Sequence, residues 1–192
     1  MIKILLAFAG ITGIGKSYYK DKVCEKLGFE KIRIITTRAP RKKEVNNEDK
    51  IFVSKEELEK MEEEGKIAYS FDMLGNTYAY TNEALFSEKD TVFEMHYTTV
   101  ADFKRICPHI KTIYLLPKDL DATKKKLLQR GLEPAVEQAR LNEIDEHYNR
   151  ITTDKKLMDM FDFCVYNNYD QESEDEIIYL IKKMMNAERN GK

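Results

Sequence analysis

Residues 10–17 read Gly-Ile-Thr-Gly-Ile-Gly-Lys-Ser, which fits the spacing G-x-x-x-x-G-K-[ST]. Glycines at those intervals let the backbone N–H groups of Gly10, Ile11, Thr12, Gly13, Ile14 and Gly15 curl around the β-phosphate of a nucleoside triphosphate. Lys16 then supplies a cation between the β- and γ-phosphates, and the Ser17 hydroxyl is a ligand for Mg²⁺. The same cradle serves GTPase switches and ATPase motors. The chain shows no N-K-x-D base-reading motif and no motor-like repeats, so the spacing points to phosphoryl transfer with the acceptor still to be found.

A second candidate lies at Thr36-Thr37-Arg38-Ala39-Pro40-Arg41. Arg38 and Arg41 flank a proline, and guanidinium forks on a stiffened turn bind phosphate oxygens bidentately. A solvated basic loop would look the same when read alone.

These residues must be held by elements that the hydrophobic pattern predicts. Lys3–Phe8 is a short apolar run, expected as a buried parallel strand. Lys16–Leu27 is amphipathic and stops at Gly28, and Ile32–Ile35 is expected as a second strand. Strand–loop–helix–strand predicts an α/β protein with a parallel sheet: a P-loop NTPase core. Residues 37–91 break the alternation. Ser54 and Glu57 form a capping box for a helix that Gly65 ends, and Gly75-Asn76 is a turn signal between short strands. This stretch reads as an inserted small mixed α/β acceptor-binding lobe in one domain, with the core at about 1–36 and 92–192. After residue 91 strands and helices alternate again. Gly131-Leu132-Glu133-Pro134 interrupts the helices, and a short helical lid is expected over about 131–139.

Composition narrows the classes. The 192 residues are 42% hydrophobic and 34% charged with a net charge of −2, which predicts a folded domain without a basic field for nucleic acid. The N-terminal apolar run is too short to span a bilayer and is followed at once by the glycine-rich loop, which predicts neither a membrane anchor nor a secretory signal. Cys24, Cys107 and Cys164 are widely spaced, with no zinc or disulfide pattern, and read as inert thiols in a reducing cytoplasm.

From Thr36 to Met61 the sequence closely resembles the acceptor lobe of guanylate kinases, as does G-N-T-Y at Gly75–Tyr78. The P-loop lies where that family has it. Leu128-Gln129-Arg130-Gly131 and Ala139-Arg140-Leu141 are similar to its lid arginines, and Val165-Tyr166-Asn167-Asn168 to its adenine-side turn. The resemblance spans essentially the whole chain. It implies transfer from ATP to GMP with Mg²⁺, giving ADP and GDP, and a lobe that closes over the sheet. It also implies that Arg38, Arg41 and Tyr78 hold the acceptor phosphate, that Arg130 and Arg140 stabilise the transferring group, and that Asn168 lies by the adenine. Phosphoryl transfer asks mainly for positioning and for cations around the equatorial oxygens, which agrees.

The departures from that family gather at the base-reading positions. Ile34 and Ile35 stand where a small hydroxyl residue is usual, and Lys50 where a phosphate-contacting tyrosine is usual, although a lysine still offers a point charge. Tyr69 aligns with the glutamate that reads guanine, and Tyr80 with a small hydroxyl residue. Glu94 keeps an acidic position, while the next one is His96. Guanine needs an acceptor facing its N1–H and amine. Either the pocket is rebuilt for another acceptor, such as another nucleoside monophosphate or a phosphorylated sugar, or the alignment slips and Asp72 serves.

The remaining residues read as structural. His96 could be a base, yet a phosphate acceptor needs none, so a structural role is expected. His109 and His147 show no readable partners. Met158, Met160, Met184 and Met185 are expected in the core, and the acidic run Glu172–Glu176 as a solvated helix start. Nucleotides are the expected partners, with a monomer or homodimer as the assembly. A rival class is the non-catalytic peptide-binding module, but such modules typically carry a degraded P-loop, whereas Lys16 and Ser17 are intact here.

Overall fold

The chain enters through β1 (Leu5–Gly10), whose side chains are buried on both faces because a helix layer covers each side. The computed structural model describes residues 3–40, 49–129 and 131–190. After the glycine-rich loop comes α1 (Lys16–Leu27), ended by Gly28 at φ 75° with its N–H on the Cys24 carbonyl. Then follow β2 (Glu30–Lys31), β3 (Ile34–Thr36) and β4 (Lys50–Phe52). Next are α2 (Lys55–Glu63), β5 (Ile67–Met73), β6 (Asn76–Thr81) and α3 (Asn82–Leu85). β7 (Thr91–Glu94) leads through a 3-10 turn at Tyr97–Thr99 into α4 (Val100–Ile106). The chain ends with β8 (Lys111–Pro117), α5 (Leu120–Leu128), α6 (Pro134–Thr153), α7 (Lys155–Met158), β9 (Phe163–Asn167) and α8 (Gln171–Arg189).

Five parallel strands form the main sheet in the order β2-β7-β1-β8-β9. Leu6 and Phe8 face one side, where they pack with Val23 of α1 and with Ile177 and Ile181 of α8. Ala7 and Ala9 face the other, packed with Phe103 of α4 and Ile151 of α6. This period-2 division of one strand between two helix layers is what a doubly covered parallel sheet requires.

A second, mixed sheet has the order β4-β3-β6-β5. The run expected as one strand at Ile32–Ile35 is in fact divided. Glu30–Lys31 pairs with β7 in the main sheet, and Ile34–Thr36 pairs with β4 and β6 in the second. The apolar run is shared because Ile32 packs in the core and Ile35 packs against Leu58 and Ala79 of the lobe. The capping box is formed, with Ser54 Oγ accepting from the Glu57 amide at 3.1 Å and Glu57 Oε2 from the Ser54 amide at 2.7 Å. The β5–β6 turn sits one residue earlier than expected. Leu74 and Gly75, at φ 52° and 74°, are its central pair, both in the left-handed region that tight hairpins demand.

Two smaller expectations are corrected. Met160 is 39% exposed, because it lies in the turn beyond α7, while Met184 and Met185 are buried on α8. Glu174 is buried rather than solvated, since Tyr18 and Lys26 both donate to its carboxylate. Cys164 is exposed and Cys107 buried.

Candidate active site

Gly10 carries the chain off the carboxyl end of β1. A Cβ there would lie 2.8 Å from the Leu115 carbonyl oxygen, and φ is 146°, so only glycine fits. Gly15, at φ 98°, precedes α1, and a Cβ on it would meet Asn167 Nδ2 at 3.1 Å. The loop rests on that asparagine. Asn167 Nδ2 donates to the Ile14 carbonyl at 2.7 Å, and its Oδ1 accepts from the Tyr19 hydroxyl at 2.7 Å and the Tyr169 amide at 2.9 Å. Tyr169 also donates to the Gly13 carbonyl at 3.2 Å. Asn168 instead turns its amide to Asp170. Sequence reasoning singled out Asn168 and missed Asn167, although the alternation of β9 places Val165 and Asn167 on the buried side.

Lys16 leads α1 and donates from Nζ to the carbonyls of Gly10 and Ile11, both at 2.9 Å. The Ser17 hydroxyl donates to the Glu94 carboxylate at the end of β7. Burial pushes that carboxyl up, but Lys16, Lys20 and Ser17 outweigh it and hold Glu94 below the usual carboxylate range.

Lys20 stands one turn after Lys16. Its Nζ lies 2.9 Å from Asp49 Oδ2 and 3.1 Å from Glu94 Oε1, with 4% of the side chain exposed. Burial pushes the ammonium down, yet Glu94 and Asp49 prevail and raise it above its ordinary value. Since Asp49 directly precedes β4, this ion triad joins the main sheet to the second one. Sequence reasoning missed Lys20. The signal was its spacing, since Lys16, Lys20 and Val23 fall on one helical face.

One cleft of about 430 Å³ runs between the two sheets. The P-loop side contributes Gly10, Thr12, Lys16, Ser17 and Lys20, and the second sheet contributes Lys50, Phe71, Met73, Tyr78 and Tyr80. Tyr80 is 1% exposed, wedged edge-on against Phe93 and Phe103, and its hydroxyl donates to the Glu94 carbonyl at 3.1 Å. Tyr78 stacks on Phe71 with ring centres 5.5 Å apart.

Tyr69 does not join the cleft lining. Its hydroxyl donates to Asp102 of α4 at 2.9 Å and its ring packs against Phe103. Asp72 is exposed and accepts from Thr77 at 2.7 Å, away from the cleft. Ile34 lines it. Arg38 donates to the Ala39 carbonyl at 2.8 Å, with its guanidinium over the Phe52 ring. Arg41 and Arg130 lie outside the described residues.

The far wall is α6, in which the expected lid segment is continuous with a 20-residue helix. Glu143 accepts from the Thr12 hydroxyl at 3.4 Å and pairs with Arg140. His147, one turn on, stacks on Tyr97 at 3.6 Å and shares a 3.0 Å hydrogen bond with the Tyr114 hydroxyl. Burial first, then His96, Lys16 and Arg150, push His147 down to about 3. His96 is lowered as well, mainly by burial, and its Nδ1 bonds Thr98 at 2.7 Å.

Among the described residues no group of three or more His, Cys, Asp or Glu side chains could hold a metal alone. The Ser17 hydroxyl oxygen beside the cradle instead suits a hard cation that takes its other ligands from phosphate oxygens and water. No helix of the described residues is long and apolar enough to cross a membrane.

A glycine-rich cradle at the carboxyl ends of a parallel sheet, followed by lysine and serine on a helix, defines a P-loop nucleotide-binding protein. The family model for guanylate kinase matches residues 3–188, and the chain belongs to that family. It is 29% identical over 171 residues to the guanylate kinase of Streptococcus thermophilus, covering 86% of this chain and 79% of that one. To the guanylate kinase of Oceanobacillus iheyensis it is 29% identical over 184 residues, covering 93% and 86%. The crystal structure of guanylate kinase from Anaplasma phagocytophilum superposes with a TM-score of 0.69 at 20% identity, covering 95% of this chain and 86% of that one.

Proposed function

We propose that this protein moves the γ-phosphoryl group of ATP onto GMP, giving ADP and GDP, in the cytoplasm. The observation that carries this is one cleft in which Lys16, Ser17 and Glu94 on the main-sheet side face Lys50 and Tyr78 of the second sheet. A donor phosphate on one side and an acceptor phosphate on the other would meet in line within it.

The residues divide the work by chemistry. Backbone N–H groups of the P-loop bind the β-phosphate, and Lys16 turns its ammonium from the Gly10 and Ile11 carbonyls to the β- and γ-oxygens. Arg38, Arg41, Lys50 and Tyr78 fix the acceptor phosphate. Arg140, with Arg130, compensates the charge on the transferring group, and α6 shields it from water. Ser17 can donate its proton to Glu94 and still offer an oxygen lone pair to Mg²⁺. The cation, when bound, neutralises charge on the β- and γ-oxygens. No base is needed, because an acceptor phosphate attacks as its anion.

A second reading keeps this chemistry but changes the acceptor base. It is favoured by Tyr69, which faces Asp102 rather than the cleft, and by Tyr80, whose ring fills the place of a small hydroxyl residue. The test is ADP release from Mg·ATP with GMP, dGMP, AMP, CMP, UMP and dTMP, with Lys16→Ala as the blank. Turnover of GMP at about 1–100 per second supports the proposal. GMP inert beside an active second nucleotide replaces it with the second reading. ATP binding without turnover of any acceptor defeats both.

A further inference from the structure

The polar floor of the acceptor cleft contains a cation with an unspent donor. An ammonium carries three N–H groups. Among the described residues, Lys20 directs two of them to Asp49 and Glu94, and Lys20 lines the cleft together with the apolar Ile34, Phe71 and Tyr80. Glu94 is also incompletely used. A carboxylate has about four lone-pair positions, and Lys20 and Ser17 take two. So a donor and an acceptor lie side by side, 3.1 Å apart, in a cleft that the aromatic side chains of Phe71, Tyr78 and Tyr80 also line. Burial in that setting strengthens each hydrogen bond and raises the penalty for a wrong partner.

We propose that Lys20 is a specificity residue of the acceptor site, reading a ring carbonyl of the acceptor base while Glu94 takes the adjacent ring N–H. The substrate class is then a nucleoside monophosphate whose base presents an N–H beside a C=O, as in guanine, hypoxanthine, uracil or thymine. Adenine and cytosine present an amine beside an unprotonated ring nitrogen. In the same seat they would aim an N–H at the ammonium and a lone pair at the carboxylate. The inference rests on the acceptor cleft described above and deepens it, because Lys20 compensates for Tyr69, which contributes nothing to the cleft. Lys20 keeps its charge through the pair of carboxylates that face it, so the donor persists across the physiological range.

The edge can be tested without a variant. Wild-type kcat/KM is measured with GMP, IMP, AMP and the 5′-monophosphate of 2-aminopurine riboside, and in parallel with UMP, dTMP and CMP. The 2-aminopurine nucleotide keeps the amine of guanine but lacks its carbonyl and N1–H. We expect GMP and IMP to agree within about tenfold and to exceed the other two purines by about 10³-fold or more, as for a site built around substrate hydrogen bonds. If GMP fails but UMP or dTMP is accepted over CMP, the GMP reading falls and the role of Lys20 stands. A wild-type enzyme that ranks AMP or CMP first, or does not discriminate, overturns it.

Lys20→Met then separates reading from bracing. The variant should narrow the preference for GMP over AMP by about 10- to 100-fold, as for the loss of one polar contact in a site built around substrate hydrogen bonds, with the KM for ATP within about twofold. If every acceptor falls by one common factor, Lys20 is only a structural ion pair and the proposal is wrong. If Lys20→Met does not fold, the comparison of GMP with the 2-aminopurine nucleotide on the wild type decides alone.

Discussion

Glu143 on α6 accepts a hydrogen bond from Thr12 of the P-loop at 3.4 Å. A carboxylate therefore touches a loop made for anions, and its other oxygen holds Arg140, the cation assigned to the transferring phosphoryl group. The bound triphosphate would repel Glu143 and attract Arg140, so occupying the cradle should separate the pair.

Glu143→Gln is accordingly expected to tighten ATP binding by about three- to tenfold, since one carboxylate at the rim of a solvated cleft is worth on the order of 1 kcal/mol. Calorimetric titration of the wild type and the variant with Mg·ATP measures this. Unchanged or weaker binding would show that Glu143 does not oppose the nucleotide.

Asn167 supports the cradle from beneath with contacts to Ile14, Tyr19 and Tyr169, and it is 2% exposed. Asn167→Ala leaves a buried carbonyl and a buried hydroxyl without these partners. It should cost about 2–4 kcal/mol by urea denaturation, because each orphaned buried group costs about 1–3 kcal/mol. A loss below about 1 kcal/mol would mean that water replaces the amide and that the loop does not depend on it.

The features legible in the sequence were those fixed locally. The P-loop, the Ser54–Glu57 box and the stop at Gly28 depend on backbone conformation within a few residues, and each stands where spacing placed it. What escaped depends on distant partners. Nothing near Lys20 announces Asp49 or Glu94, which come from other elements, and Tyr69 turns to Asp102 because α4 happens to offer a carboxylate there. The run Ile32–Ile35 looked like one strand since apolar character does not say which of two sheets will claim it. Asn167 ends β9 on its buried side whereas Asn168 follows the strand and is exposed, and the period-2 pattern of β9 could have marked Asn167 as the inward residue.

Stability should weaken on mild acidification because of His147. Its folded value lies near 3 against an ordinary 6.5, so between those limits the unfolded chain binds a proton that the folded one refuses. Unfolding free energy then rises with pH through that window, and acid removes the contribution. Each unit of the interval is worth about 1.4 kcal/mol. From pH 6.5 to 4.5, His147→Gln should lose roughly 2 kcal/mol less than the wild type in urea melts, the difference cancelling carboxylates common to both. Equal losses would place a protonated His147 comfortably in the fold and contradict its packing on Tyr97.

Tyr69→Phe tests whether that position contributes to the acceptor site at all. The hydroxyl donates to Asp102, and the ring packs on Phe103 and behind Phe71, which lines the cleft while Tyr69 does not. Burial, followed by the Asp102 carboxylate, raises the phenol above its ordinary value, so it remains a neutral donor at working pH. Removing the hydroxyl should cost about 0.5–1.5 kcal/mol of stability, the usual worth of one hydrogen bond at a partly solvated site. With no contact to substrate, kcat/KM for the acceptor should stay within about twofold. Were Tyr69 to swing into the cleft and read the base, the same change would lower kcat/KM for the preferred acceptor by tenfold or more while sparing the KM for ATP, since a lost polar contact in a closed site is worth about 1–3 kcal/mol. Steady-state kinetics with the best acceptor from the panel, beside a urea melt of the same preparation, separates these outcomes. A large kinetic loss with little change in stability would return Tyr69 to the acceptor site.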